Sequence, residues 1–142
     1  MSDRVYSVFP DCFPNDFQEK ILPKNLPQTR IPVYRICIYD KIDKRAFLST
    51  YEEVMTGIKP QPHNWKNTLK DAGTYSTSCK ITQKGAENLL DCLRAYHPPA
   101  CIIIGEAFSE LGPIKVEQKK DHVHWWLYKD ADPSDGFRRI NE

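Results

Sequence analysis

The sequence predicts an α+β domain with a mixed or mainly antiparallel sheet, two main helices and a C-terminal β-meander. Three observations lead there. Residues 33–39, 74–81, 100–108 and 122–128 are rich in β-branched and aromatic side chains, as strands are. Two intervening stretches carry apolar residues at helical spacing. The last third alternates short strand-like runs with turn signals at Leu111-Gly112-Pro113 and residues 130–136, so its strands should reverse on one another.

At 142 residues the chain has the length of one domain. Residues 1–30 form an arm packed on it, since Pro10, Pro14, Pro23 and Pro27 confine any helix there to residues 16–21, behind Asn15 as a cap. Residues 33–39 are apolar on both faces apart from Arg35, as a central strand requires. Asp43 is placed to cap a helix over 44–56, where Phe47, Tyr51, Val54 and Met55 fall on one face and Gly57 stops it. Residues 58–72 are polar and hold Pro60 and Pro62, which leaves room for one turn at 65–69 in a long connection of the kind that often binds ligands. After the strand 74–81, Thr82 caps a helix to Tyr96 with the stripe Ala86, Leu89, Leu90, Leu93 and Tyr96, and Pro98-Pro99 end it. Strands follow at 100–108, 114–117, 122–128 and 137–140.

Hydrophobic residues make up 40% and charged residues 27% of the chain, so a real core is expected. The net charge of +1 arises from interspersed residues of both signs, which gives nucleic acid no single-sign surface to bind. The first ten residues lack a basic leader followed by an apolar stretch, and no apolar run approaches the roughly 18 residues of a membrane span. A cytoplasmic protein without membrane partners is the expectation. Five cysteines without a Cys-x-x-Cys pair indicate reduced thiols, four of them (Cys37, Cys79, Cys92, Cys101) in core segments.

The polar marks on the strands carry the functional signal. Arg35 interrupts an apolar strand, and Ser76-Thr77-Ser78 follows on the next. An arginine fork donates paired hydrogen bonds to phosphate, and hydroxyls orient ribose or carboxylate. Strand with Arg, helix, long loop, strand with Ser-Thr-Ser, helix, then strands bearing glutamate: over residues 31–128 this order resembles the ADP-ribosyltransferase fold of the arginine, Ser-Thr-Ser, glutamate type. The resemblance implies a nucleotide ligand, with NAD as substrate for ADP-ribosyl transfer or glycohydrolysis. It implies that Arg35 binds phosphate, that Ser76, Thr77 and Ser78 shape the nicotinamide and ribose pocket, and that Glu117 stabilises an oxocarbenium-like transition state. Glu106 and Glu110 compete with Glu117 for that role, and Lys115 stands two residues before it, where the family usually has Glu or Gln. Tyr75, Trp126 or Tyr128 would stack a ring of the ligand.

On a strand, His122, His124, Trp126 and Tyr128 share one face, and Val123, Trp125 and Leu127 the other. Histidines two apart can ligate zinc with Asp121, Asp130 or a cysteine, but no third ligand is marked by spacing, and no metal is expected. Cys79 has His97 or His124 as conceivable activating bases, although strand cysteines are usually inert. The alternative functional class is a non-catalytic accessory or inhibitor protein that docks on another protein through its aromatics, Trp65 and the proline-rich arm.

Overall fold

The structure, a computed structural model, describes residues 8–141; the first seven residues of the arm and Glu142 lie outside them. Two antiparallel three-stranded sheets with few helices make an α+β fold. β1 (Arg30–Cys37) pairs with β3 (Cys101–Phe108) over its whole length, from Arg30 opposite Phe108 to Cys37 opposite Cys101, and β6 (Arg138–Arg139) lies on the far side of β3. The second sheet has β5 (His122–Trp125) between β2 (Thr77–Cys79) and β4 (Ile114–Glu117). The C-terminal strands expected as a meander therefore divide between the sheets, and among them only β4 and β5 pair in sequence. The sheets touch through one bridge, where Tyr34 and Lys80 exchange both backbone hydrogen bonds at 2.9 and 2.7 Å.

Strand alternation explains the packing. Val33 and Cys37 of β1 and Ile103 and Ala107 of β3 join Ile114, Val123 and Trp125 of the second sheet in one core, together with Phe47 and Phe137. Ile36 and Ile102 point the other way and pack on Ala86 and Leu90 of α3 (Gln83–Leu93). Thr82 caps α3 by accepting from Gly85 N–H at 3.0 Å. The helix ends three residues before Tyr96, which is 80% exposed, and Leu89 lies at the edge of the stripe, so neither belongs to the buried face.

The arm has its own core, in which Phe9, Phe13 and Phe17 bury against Tyr51, Tyr75 and Trp126. Each buried phenyl ring contributes about 1.5–3 kcal/mol, enough to hold the arm without regular structure. Its helical piece is a π-type turn, Phe17–Ile21, preceded by Asp16 rather than Asn15.

Two further elements differ from expectation because side chains recruit the backbone. The helix expected over 44–56 is a 3-10 turn (Lys44–Phe47), an extended step at Leu48 and Ser49, and α1 (Thr50–Met55). The carbonyls of Ala46 and Leu48 accept from Arg35 at 2.6 and 3.0 Å and so face away from a helical path. Ser49 restarts the helix with a capping box to Glu52. The strand expected over 74–81 begins with a 3-10 turn (Ala72–Tyr75), fixed by Thr74 Oγ1 donating to Thr68 O and Tyr75 OH donating to Leu69 O, at 2.7 and 2.8 Å. The turn at 65–69 is present as α2 (Trp65–Thr68). Among the described residues no helix is long and apolar enough to cross a membrane.

Candidate functional site

Register places the polar residues of the second sheet on one face. Ser78 of β2 and Lys115 of β4 both lie opposite His124, and Glu117 lies opposite His122. Directly opposed residues share a face, and the other face carries Thr77, Val123 and Trp125 into the core. The expected alternation is observed from His122 to Trp126, but the strand expected over 122–128 ends at Trp125 and Tyr128 leaves this face to pack on Phe9. On the polar face a cleft of about 400 Å³ is lined by Lys115, Glu117, Lys120, His122, His124 and Trp126, together with Asp71 and Gly73.

His124 is the centre of this face. Its Nε2 lies 2.6 Å from Glu117 Oε1 and its Nδ1 lies 3.1 Å from Ser76 Oγ, while the Ser76 hydroxyl donates to Gly73 O at 2.9 Å. The imidazole sits between two rings, His122 at 4.3 Å and Trp126 at 5.6 Å with a 20° interplanar angle. Trp126 is pinned by its Nε1–H, which donates to Ala72 O at 2.8 Å. A Cβ on Gly73 would stand 3.1 Å from His124 Cε1, so glycine leaves the ring its place. The hydrogen bond from His124 holds the Glu117 carboxyl below the usual carboxylate range, with Lys120 at 3.6 Å assisting. Burial, then His124 and Lys80, push the His122 imidazole below its ordinary value, and its Nε2 is buried without a hydrogen-bond partner among the described residues.

A serine, histidine and glutamate in line invite comparison with a nucleophilic triad. Ser76 is 1% exposed, which denies its hydroxyl a substrate. The carboxylate of Glu117, three-quarters buried at the cleft wall, is the group within reach of a ligand. The other glutamates lie elsewhere: Glu106 is paired with Arg30 at 2.5 Å on the first sheet, and Glu110 is exposed in the turn after β3.

Arg35 occupies the split between the sheets. Nε donates to Ala46 O, Nη1 to Ser78 O at 2.5 Å and Nη2 to Leu48 O. Three of its five N–H groups brace the backbone, leaving two for any ligand. It lines a slot of about 200 Å³ together with Ser76, Ser78, Ile36, Leu48 and Leu89. Slot and cleft are linked through the Ser76 to His124 hydrogen bond.

Three expected ligand contacts are corrected by burial and a fourth, Tyr128, by its position. Thr77 is in the core and its Oγ1 donates to Phe47 O at 2.5 Å. Tyr75 is enclosed by Phe13, Phe17 and Tyr51, which leaves no ring face for a ligand. Trp126 has one face on His124 and is 1% exposed, so it floors the cleft rather than stacking a base. Tyr128 packs on Phe9 at 5.4 Å, away from the cleft.

No nucleophile emerges at Cys79, which is buried in the core with its thiol pushed up to about 11 by that burial. Asp121 is spent on the start of α3, where it accepts from Ile81 N, Thr82 N and Thr82 Oγ1. Among the described residues no group of three or more His, Cys, Asp or Glu is placed to hold a metal ion. All five cysteines are free; Cys92 is exposed on α3, against the expectation of burial. The role of His124 as partner of Glu117 was missed, although a hairpin with Lys115 and Glu117 on one strand and His122 and His124 on the other marks the pairing in period-two spacing. Comparison of the chain with family models, curated proteins and solved structures gives no match.

Proposed function

We propose that this protein binds an NAD-like nucleotide at the polar face of the second sheet and acts on its glycosidic bond, by ADP-ribosyl transfer or glycohydrolysis. The observation that carries the reading is that Ser78 and Glu117, distant in sequence, lie on one face of the sheet opposite His124 and His122, and that His124 links Glu117 to Ser76. An ionised carboxylate at the cleft wall is suited to stabilise the positive charge that develops on the ribose as the bond to nicotinamide breaks. The slot beside Arg35, with Ile36, Leu48 and Leu89 as apolar walls, offers a planar ring the surface that Tyr75, Trp126 and Tyr128 do not. Lys115 and Lys120 flank Glu117 and supply positive charge for phosphate.

The test is a melting-temperature series with NAD, ADP-ribose and nicotinamide, followed by an assay of nicotinamide release. A ligand that prefers the folded state raises the melting temperature by mass action. The expected result is a shift with NAD and ADP-ribose, and release that E117Q abolishes while ADP-ribose still binds. No shift with any of the three, together with no release, removes the reading. The second class, a non-catalytic protein that docks on another protein, then takes its place, and a partner pull-down is the next experiment. Among the described residues of the arm the rings of Phe9, Phe13 and Phe17 are buried and offer a partner no surface, and Trp65 stacks on Tyr51.

A further inference from the structure

We propose that His124 is the positioning residue of Glu117, fixing the carboxylate through Nε2 so that Oε2 is the oxygen presented to the cleft. The inference rests on Glu117 being the working carboxylate of the function proposed above. Glu117 is the last residue of β4, a four-residue edge strand, and a glutamate side chain there has rotamers to spare. The groups around it are Lys115 on its own strand, Lys120 in the following turn, His122 and His124 on β5, and Asp71, which lines the same cleft. Lys120 is 75% exposed and 3.6 Å from Oε2, too loose to orient it, and the Asp71 carboxylate is turned to Gly73 N at 2.9 Å.

His124 is the ordered partner. Its two nitrogens are engaged in opposite directions, to Glu117 Oε1 and Ser76 Oγ, and its ring is held between His122 and Trp126. Rotation of the imidazole would break both hydrogen bonds and both ring contacts. The support reaches further back, through Ser76 to Gly73 O and through Trp126 to Ala72 O, so the turn before β2 holds the histidine that holds the glutamate. A carboxylate fixed in this way keeps one oxygen occupied and one free, as a group that must meet a ribose from a single direction requires. The depressed titration of Glu117 is consistent with that contact.

The test reads Glu117 itself and then turnover. In the full-length protein the ¹³C signal of the Glu117 carboxyl is titrated in the wild type, H124A, H124Q and S76A, and kcat and KM for nicotinamide release are measured in each. H124A is expected to move the Glu117 titration to higher pH and to lower kcat by about 10- to 100-fold with KM little changed. H124Q, whose amide nitrogen can take the place of Nε2, should recover much of both. S76A, which frees Nδ1, should move the titration the same way by less, and it carries the test with H124Q if H124A does not fold. An unmoved Glu117 titration in the folded variants overturns the inference whatever the activity. A moved titration in a protein without nicotinamide release supports the positioning role and removes the proposed function instead.

Discussion

Replacement of Arg35 separates a brace from a ligand contact. In R35A the carbonyls of Ala46, Leu48 and Ser78 lose a charged donor at 2.6, 3.0 and 2.5 Å. A hydrogen bond from a charged group contributes roughly 1.5–3 kcal/mol, so three set an upper limit of about 9 kcal/mol. Arg35 is only half-buried, and water can replace part of what is lost, which brings the expected cost to about 3–4 kcal/mol. Set against a total stability of about 5–15 kcal/mol, that is a large fraction, and it lowers the melting midpoint by on the order of 10 °C. R35K retains the charge but not the fork, so it should keep one carbonyl and fall between the two. Equilibrium urea unfolding is the assay, with the midpoint expected to move and the slope to stay. An R35A stability within about 0.5 kcal/mol of the wild type refutes the brace. The brace also governs how binding data are interpreted: loss of nucleotide in R35A points to a phosphate contact only where the variant is shown to be folded, and Ser78 or Glu117 variants are cleaner probes.

Gly112 has φ +153°, and a Cβ there would stand 2.0 Å from the carbonyl oxygen of Trp126, so G112A is expected to cost on the order of 1–3 kcal/mol in thermal unfolding; an unchanged melting temperature would show that the turn after β3 yields freely. Acid should destabilise the second sheet. The His122 value is lowered on folding, chiefly by burial, so the unfolded chain takes up its proton first and stability falls as pH drops below about 6.5. Glu117, lowered first by the His124 hydrogen bond, contributes stability above its unfolded value that is lost as pH falls through its folded one. Urea midpoints between pH 8 and pH 5 should therefore decline in the wild type and decline less in H122Q; identical profiles would exclude His122 as the source.

Much of the fold was legible because composition and period act locally. β4 was read to the residue, and α3 was found with its Thr82 cap, since a cap and an apolar stripe agree there, although the helix stops at Leu93, short of the prolines. The two elements that broke up share a cause: side chains capture backbone carbonyls. Nothing in residues 44–56 says that Ala46 and Leu48 will face Arg35, and a continuous helical stripe was the natural reading. A local signal was nevertheless present, for Ser49-Thr50-Tyr51-Glu52 is a capping-box sequence and marks the true start of α1. Likewise the hydroxyls of Thr74 and Tyr75 reach back to Thr68 and Leu69 and hold as a turn what their propensity assigned to a strand.

The candidate site was legible where it depended on alternation and illegible where it depended on burial. Period two placed His122, His124 and Trp126 on one face, and the strand pairs then brought Ser78, Lys115 and Glu117 to it. Aromatic residues drew the wrong inference because a ring offers the same surface to a ligand as to a core. What decides between them is the arm, whose Phe13 and Phe17 close over Tyr75 and whose Phe9 meets Tyr128. The proline-rich segment lies outside both sheets, yet it covers the aromatic side of the molecule and so decides that these rings are core, while the cleft at Glu117 and His124 and the slot beside Arg35 stay open.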